Sequence, residues 1–232
     1  MSALQPFGEN IWVAEGLVVS FYGFPYPTRM VLIRLTGGGL FVWSPVALTP
    51  ELKAQTDTLG RVEHLVSPNS IHHLYLGQWK TAYPAAKLYA SPGLARKRKD
   101  IAFDATLGNS PPLAWAAEID QVEMAGSFAL TEIVFFHRES RTAIFADLIE
   151  NFSRDWFKGW KGWLARLDGI VGPFGGAPRE WRLSFLNRKL ARERFSRILS
   201  WQPEQVIMAH GEMTRTNGAA FIRKSFHWLV RD

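Results

Sequence analysis

The chain has 232 residues, of which 47% are hydrophobic and 13% aromatic, with a formal net charge of +6. This length and apolar content suffice for a domain with a sizeable hydrophobic core. The absence of cysteine excludes disulfides, thiolate metal sites and a cysteine nucleophile, and it favours a cytoplasmic protein. The N-terminus lacks the basic start and apolar run of a signal peptide, and we expect no membrane-spanning helix.

The first half of the chain predicts several strands and one well-marked helix. Five short apolar runs predict strands, at 11–19, 30–35, 40–46, 62–67 and 86–93. Residues 49–60 predict a helix because Thr49 is a candidate N-cap, Pro50 suits the first helical position and Gly60 suits the C-cap. A second helix is expected over 71–84, ending before Pro84.

The second half begins with the clearest strand pair of the chain. Two apolar runs within 131–148 flank a polar tip and predict a hairpin. Helical periodicity extends over 179–201, a strand is expected to end at His210, and 215–230 predict a closing helix. Strands in a meander, followed by strands alternating with helices, favour packed sheets with helices outside, within one domain spanning 1–232.

A segment rich in basic residues and tryptophan follows the predicted hairpin. Residues 150–201 hold eleven Lys/Arg, five Asp/Glu and five of the ten tryptophans. Glycine and proline breakers make 152–180 an expected insertion or lid. Three interpretations of this segment remain: a solvated helix face with core tryptophans, a site that binds an anionic small molecule, or a peripheral contact with an anionic membrane. Nucleic acid is disfavoured because no recognition motif accompanies the charge.

Four polar residues follow apolar strands and are candidates for one site: His72, His73, Asp147 and His210. Side chains at strand ends, distant in sequence, commonly converge in α/β scaffolds. Imidazole and carboxylate are suitable ligands for zinc or iron. The alternative for each residue is structural, since a histidine near a helix start can bond a carbonyl and an aspartate can cap a helix.

The segments that carry these residues resemble the metallo-β-lactamase fold superfamily, in an uncharacterised branch. They are "PTRMVLIRL", "LVSPNSIHHLYLGQW", "YPAAKLYASPGL", "ESRTAIFADL" and "AHGE". The resemblance implies an α+β fold of αββα type, with two packed mixed sheets and helices outside. It covers about 5 to 215 and implies a fold but no settled activity.

Compared with that family's motif, the metal ligands are depleted. In the stretch 68–73 the first two histidines are replaced by Pro68 and Ser70, the aspartate by His72, and only His73 keeps its place. The middle histidine, expected near 125–130, is absent, whereas Asp147 matches the bridging aspartate and His210 the final histidine. The resemblance therefore implies that one metal site is lost and the other keeps four donors.

Two functions remain open at this stage. The first is a metal-dependent hydrolase of an ester, thioester or phosphoester, with one Zn²⁺ or Fe²⁺ and with Asp147 and His73 as catalytic residues. Four protein donors would fill a tetrahedral zinc, whereas catalytic zinc needs an open position. The second is a catalytically inert binding protein without metal, whose ligand is a small molecule or a protein. Peripheral attachment to an anionic membrane surface through 150–201 can accompany either function.

Overall fold

Two β-sheets packed face to face form the centre of the molecule in the computed structural model, which describes residues 3–173 and 175–230. The strands are β1 (Gln5–Gly8), β2 (Ile11–Phe21), β3 (Phe24–Arg34), β4 (Gly39–Trp43), β5 (Arg61–Val66), β6 (Lys87–Ala90), β7 (Ala105–Thr106), β8 (Ile119–Met124), β9 (Glu132–His137), β10 (Thr142–Phe145) and β11 (Gln205–Met208). The helices are α1 (Pro50–Leu59), α2 (Leu76–Ala82), α3 (Leu94–Lys97), α4 (Gly159–Asp168), α5 (Arg179–Ser184), α6 (Arg188–Ser200), α7 (Gly218–Ser225) and α8 (His227–Val230). The expected αββα sandwich is confirmed.

Both sheets are mixed, and their parallel strands determine where a site can form. The larger sheet has the order β1-β2-β3-β4-β5-β6-β7, antiparallel up to β4 and parallel from there on. The smaller sheet has the order β11-β10-β9-β8, and only β10 and β11 are parallel. The loops after β4, β5, β10 and β11 therefore leave the carboxyl ends of parallel strands, where α/β sheets bind ligands.

Apolar residues fill three layers. The space between the sheets holds large aromatic side chains, among them Phe41, Trp43 and Phe135. The outer face of the larger sheet is covered by α1 and α2, and that of the smaller sheet by α6, α7 and α8. Successive side chains of β9 alternate between the sandwich centre and the helices, so both of its faces are buried and its four central residues, 133–136, are all apolar.

The first predicted helix is confirmed, and three others differ in extent. Thr49 caps α1, with its hydroxyl accepting the Leu52 amide at 3.2 Å. The helix expected over 71–84 is wrong in its first turn, because side chains of the preceding loop bind its backbone and only Leu76–Ala82 is helical. The helix expected over 179–201 is two helices, because Asn187 starts α6 by accepting the Leu190 amide. The closing helix expected over 215–230 is two short helices, because α7 ends at Ser225 and α8 begins at His227.

The segment 152–180, predicted as an insertion or lid, contains α4 and packs through a small apolar cluster of its own. Phe152, Phe157 and Ile170 form that cluster together with Ala165, and they lie against Phe24 and Tyr26 of β3. Trp156 donates its indole N–H to the carbonyl of Pro25 at 2.9 Å. The segment therefore lies beside the β2–β3 hairpin, and its role as a lid stays a prediction.

None of the helices in the described parts of the chain is long and apolar enough to cross a bilayer.

Candidate metal centre

Three of the predicted site residues meet where strands of the two sheets end. The Nε2 atom of His72 lies 3.2 Å from Oδ2 of Asp147, and Nε2 of His210 lies 3.2 Å from Oδ1 of the same carboxylate. The candidate donor atoms of the three residues all lie within 4.8 Å of one another. We call these residues the His–Asp–His cluster; its carboxylate is almost fully buried and bridges two imidazoles.

His210 is held by backbone carbonyls and by a buried arginine. Its Nδ1 lies 2.6 Å from the carbonyl oxygen of Pro27, in β3. The guanidinium of Arg29 donates to the carbonyl of Met208 and to that of Gly211, the latter at 2.9 Å, and so fixes both ends of the loop that carries the histidine. Gly211 has φ +94°, a left-handed conformation that glycine adopts without strain.

His72 is presented by a loop folded around Asn69. The side-chain oxygen of Asn69 accepts the amides of Ile71 at 2.9 Å and His72 at 3.1 Å. The hydroxyl of Ser67 donates to the carbonyl of His72 at 2.7 Å. The hydroxyl of Ser44, directly after β4, lies 2.7 Å from Nδ1 of His72. Nδ1 therefore faces Ser44, and Nε2 faces the carboxylate.

Asp147 is positioned by a second buried carboxylate and by an amide. Oε1 of Glu132 accepts the Ala146 amide at 2.8 Å, and Oε2 accepts those of Asp147 at 2.8 Å and Leu148 at 3.2 Å. The amide nitrogen of Asn69 donates to Oδ2 of Asp147 at 2.5 Å and to Glu132 at 3.3 Å. The backbone bonds of Asn69 fix which end of its amide faces Asp147, so this contact is a donated hydrogen bond.

The charges of the cluster favour an anionic carboxylate beside a cationic His72. Burial by itself raises the pKa of Asp147, but the charge of His72 and the hydrogen bonds from both imidazoles outweigh it and hold the pKa well below its usual range. Burial lowers the pKa of His72, and the Asp147 carboxylate more than reverses that effect, so the pKa is raised. Burial and then the charge of Asp147 raise the pKa of Glu132 to about 7.

The hydrogen bonds of His210 leave two chemical states for the cluster. A carbonyl oxygen only accepts, so Nδ1 carries the proton shared with Pro27. Nε2 then either carries a second proton, which makes His210 an imidazolium, or shares a cation with Asp147. Two ligands of one tetrahedral zinc at about 2.0–2.1 Å lie roughly 3.3 Å apart. The observed separations of 3.2 Å fit both states, because that distance is also within the range of an N–H···O hydrogen bond. Two imidazoles with one carboxylate are a ligand set for Zn²⁺ and Fe²⁺.

The fourth predicted ligand, His73, is not part of the cluster. Its Nδ1 lies 2.8 Å from the guanidinium of Arg98, which also donates to the His73 carbonyl at 3.2 Å. Burial, followed by the charges of Lys97 and Arg98, lowers the pKa of His73 to about 4. The structure thus brings together three of the four predicted donors and leaves the fourth beside two cationic side chains.

The cluster lies in the wall of a cleft of about 680 Å³, measured out to its open mouth. Apolar side chains line much of it, including Val19, Phe21, Leu74 and Trp181. Glu150 also lines the cleft, and burial followed by the charge of Asp147 raises the pKa of its carboxyl well above the ordinary value. The hydroxyl of Tyr26 donates to it at 3.4 Å. A protonated carboxyl therefore faces the same space as the cluster.

Sequence reasoning missed Ser44, Asn69, Tyr26 and Glu150 as parts of this site. Asn69 lies two residues after the strand predicted over 62–67, so the rule that selected the histidines would have included it. Ser44 lies inside the strand predicted over 40–46 and follows a strand end only in the structure, where β4 stops at Trp43. Glu150 follows Asp147 by three residues, but its place in the cleft depends on the course of the loop after β10. Tyr26 lies within β3, and nothing in the sequence marks which face it occupies.

Comparisons with known proteins agree with this fold. The sequence profile of the family described as "Domain of unknown function (DUF4336)" matches residues 8–162. A metallo-β-lactamase from Pontibacter korlensis is similar over 100% of both chains, with 10% identity and a TM-score of 0.63. FIM-1 from Pseudomonas aeruginosa, solved in a mono-zinc form, matches over 99% of this chain and 97% of its own, with 11% identity and a TM-score of 0.62.

A third solved structure shows the same fold inside a longer protein. The metal-soaked Flv1 flavodiiron core from Synechocystis sp. PCC6803 matches over 98% of this chain but only 60% of its own, with 11% identity and a TM-score of 0.66. None of the curated proteins compared with the sequence matches it. The resemblance to the metallo-β-lactamase superfamily is confirmed, and at such identities it concerns the fold.

Proposed function

Because this chain belongs to the DUF4336 family and has the metallo-β-lactamase fold, we propose that it is a hydrolase that uses a single metal ion. One observation carries the proposal: two imidazole nitrogens face the two oxygens of one buried carboxylate at a cleft wall. The mono-zinc form of FIM-1 from Pseudomonas aeruginosa supports the proposal, because a protein of this fold there holds a single zinc ion. The substrate class is an ester, thioester or phosphoester.

The ion would be Zn²⁺ or Fe²⁺, held by His72, Asp147 and His210. When bound, it would supply Lewis acidity toward a carbonyl or phosphoryl oxygen and lower the pKa of water. Three protein donors also remove the difficulty raised by four, because catalytic zinc sites commonly have three protein ligands and one open position. His73, which contacts Arg98, would have no place among the ligands.

The chain's own residues would orient these donors and supply a proton. Pro27 and Ser44 fix the two imidazoles through their Nδ1 atoms, and Asn69 fixes one oxygen of Asp147. Such outer partners commonly change metal affinity or activity 10- to 100-fold when they are removed, an order-of-magnitude range. Glu150 keeps its proton because it is buried near Asp147, so it is suited to protonating a leaving group as bond cleavage proceeds.

The walls of the cleft suggest what kind of substrate it takes. Most of the lining is apolar, so a substrate would bring an apolar portion along with its ester or phosphoester. The cationic side chains nearest to His73 lie behind its loop: Lys97 donates to the Ser70 carbonyl at 2.8 Å, and Arg98 is paired with Asp100 at 2.6 Å. They therefore support the loop, and the cleft lining itself gives no reason to prefer an anionic substrate.

A second candidate, an inert binding protein, is supported by a specific observation. Every polar atom of the cluster has a hydrogen-bond partner without any ion, provided that His210 is an imidazolium. In that state the cluster is a buried salt bridge, which needs no metal to be satisfied. This candidate predicts ligand-dependent melting shifts in the absence of turnover.

Metal content together with turnover separates the two candidates. The protein would be purified without chelator, supplied with Zn²⁺ or Fe²⁺, and analysed by elemental analysis and by hydrolysis of aryl esters, thioesters and phosphodiesters. We expect about one ion per chain and turnover that disappears with chelator. His210→Gln should lose both, whereas the matched variant His73→Gln should keep the ion. A metal content near zero after loading, with no turnover beyond that of His210→Gln, would refute the hydrolase and leave the inert binder.

A further inference from the structure

The helix α4 turns its apolar side away from the protein. In an amphipathic helix, apolar residues spaced i, i+3, i+4 and i+7 normally face the core. In α4 that spacing belongs to four exposed side chains: Trp160, Trp163, Leu164 and Leu167. Trp160 is 65% exposed and Trp163 is 61% exposed, whereas the buried residues of the helix are small, Gly162 and Ala165. The stripe that should be covered is therefore open to solvent.

The tip of the β2–β3 hairpin continues this exposed stripe. It presents four more exposed apolar side chains: Leu17, Val18, Phe21 and Tyr22. The tip is joined to α4 by the ring of Trp160, 5.9 Å from that of Phe24, and by Lys161, whose ammonium donates to the Gly23 carbonyl at 2.7 Å. We call the four helix residues and the four hairpin residues together the apolar face.

Positive charge borders the apolar face. At about 100° per residue, Lys161 and Arg166 lie on opposite sides of the α4 stripe. Arg154 and Lys158, just before the helix, are exposed as well. The hairpin residues 16–28 carry no charge. Asp168, an acid at the end of the helix, already accepts the Arg179 amide at 2.7 Å, and an exposed Asp155 partly offsets the basic border.

We propose that the apolar face docks on the surface of an anionic phospholipid bilayer. Tryptophan and leucine on one face, bordered by lysine and arginine, are the composition of helices that lie in a membrane interface. A bilayer fits better than a second copy of this chain, because a symmetric pair would set each basic border against its own equivalent. Within 150–201, the residues that would contact the membrane are thus α4 and the residues just before it. The β2–β3 hairpin, which lies outside that range, completes the contact surface.

The apolar face also opens toward the His–Asp–His cluster. A groove between α4 and the hairpin is lined by Phe21, Phe24, Tyr26, Leu164 and Ile170, and it shares Phe21, Tyr26 and Glu180 with the cleft. Asp168, Arg179 and Glu180 also line this groove, so the path that leads from the apolar face to the cluster is largely apolar with charged side chains on one part of its wall. Resting on the proposed function, this path makes amphiphilic esters or phosphoesters the substrate class, with the acyl chain in the groove.

Vesicle flotation tests the docking independently of activity. Full-length protein would be mixed with phosphatidylcholine vesicles with or without phosphatidylglycerol, at low and at high salt. We expect flotation with the anionic vesicles only, weakened by salt. Each basic side chain near such a surface strengthens binding about fivefold, so Lys158→Glu should weaken it by at least about that factor. Trp163→Glu should abolish flotation.

A matched control comes from the opposite end of the sandwich. Leu113 is 97% exposed and precedes β8 in the chain. The first residue of β8, Ile119, pairs with His137, at the end of β9 opposite to Glu132 and the cluster. Leu113→Glu should float like the wild type, and circular dichroism would verify folding of all variants. Equal flotation with neutral vesicles, no flotation, or a dimer in solution that Trp163→Glu dissociates would each overturn the docking.

The substrate class has its own measurement. The wild-type protein should show kcat/KM values that rise with acyl length across a series of esters presented below their aggregation limit. Equal values for short and long chains would overturn the amphiphile while leaving the flotation result to decide the docking. Absence of turnover with every ester, thioester and phosphodiester would count against the proposed function instead.

Discussion

Replacing Asn69 by alanine should lower the free energy of unfolding more than most single substitutions do. The Asn69 side chain binds both the backbone of the loop that carries His72 and the carboxylate of Asp147. Its oxygen accepts two backbone amides, and its nitrogen donates to Asp147 at 2.5 Å. A hydrogen bond to a charged group contributes about 1.5–3 kcal/mol, and a buried amide left without a partner costs about 1–3 kcal/mol. The loop lies at a cleft, where water can partly replace the lost partners, so we expect a loss of about 3 kcal/mol.

That loss is a large part of a typical domain stability of about 5–15 kcal/mol and is measurable by urea unfolding, followed by tryptophan fluorescence. The matched variant is Asn109→Ala. The side chain of Asn109 is half-buried, and its oxygen accepts one backbone hydrogen bond, from the amide of Glu123 at 3.3 Å. This variant should lose no more than about 1.5 kcal/mol. If Asn69→Ala lost no more than Asn109→Ala, the loop would not depend on Asn69 in the way described.

Three further variants address two supports of the site and one buried histidine, His137, at the far end of β9. Arg29→Lys should lower zinc affinity, measured as metal content at limiting zinc, since an ammonium cannot replace the forked guanidinium bonds. Unchanged affinity would contradict that role. Gly211→Ala should cost about 1–3 kcal/mol in urea unfolding because of its φ of +94° and should displace His210; wild-type stability would show that the loop adapts. Burial lowers the pKa of His137 in the folded protein below the ordinary 6.5 of the unfolded chain, so the free energy of unfolding should fall as the pH drops below 6.5. His137→Gln should flatten this pH dependence between 6.5 and the lower pKa of the folded state. An unchanged slope in the variant would refute this role of His137.

Much of the fold follows from local patterns in the sequence. Strand positions, the capped helix α1 and the hairpin of β9 and β10 depend on periodicity and turn residues close in sequence. The helix expected over 71–84 was too long because Asn69 and Ser67 compete for backbone groups, an effect that helical periodicity does not register. The family resemblance supplied the sandwich arrangement, which periodicity alone leaves open.

The candidate site was predictable as a set of strand ends and less so as a coordination geometry. His72 and His73 are adjacent in sequence, so only the loop conformation decides which imidazole faces Asp147. Arg98 contacts His73 from 25 residues away, and no local pattern indicates this contact. Glu150 likewise enters the cleft through the path of a loop. These features depend on tertiary contacts, whereas the choice of Asp147 and His210 depended on their place after apolar strands.

The exposed stripe of α4 illustrates a different limit. Its spacing of large apolar residues is the pattern of a helix that packs against a core, yet the structure exposes it because the small residues Gly162 and Ala165 face inward instead. Sequence composition indicated an unusual segment, but the side that is buried depends on the fit of Phe157 and Ile170 beneath the helix.

X-ray absorption spectroscopy of the zinc-loaded protein tests most directly which residues surround the ion. Two imidazoles and one carboxylate are predicted for the wild type, with the same spectrum for His73→Gln and with loss of bound zinc for His72→Gln, as for His210→Gln. A third imidazole in the wild type that disappears in His73→Gln, or protein that takes up no zinc, would contradict a centre formed by His72, Asp147 and His210.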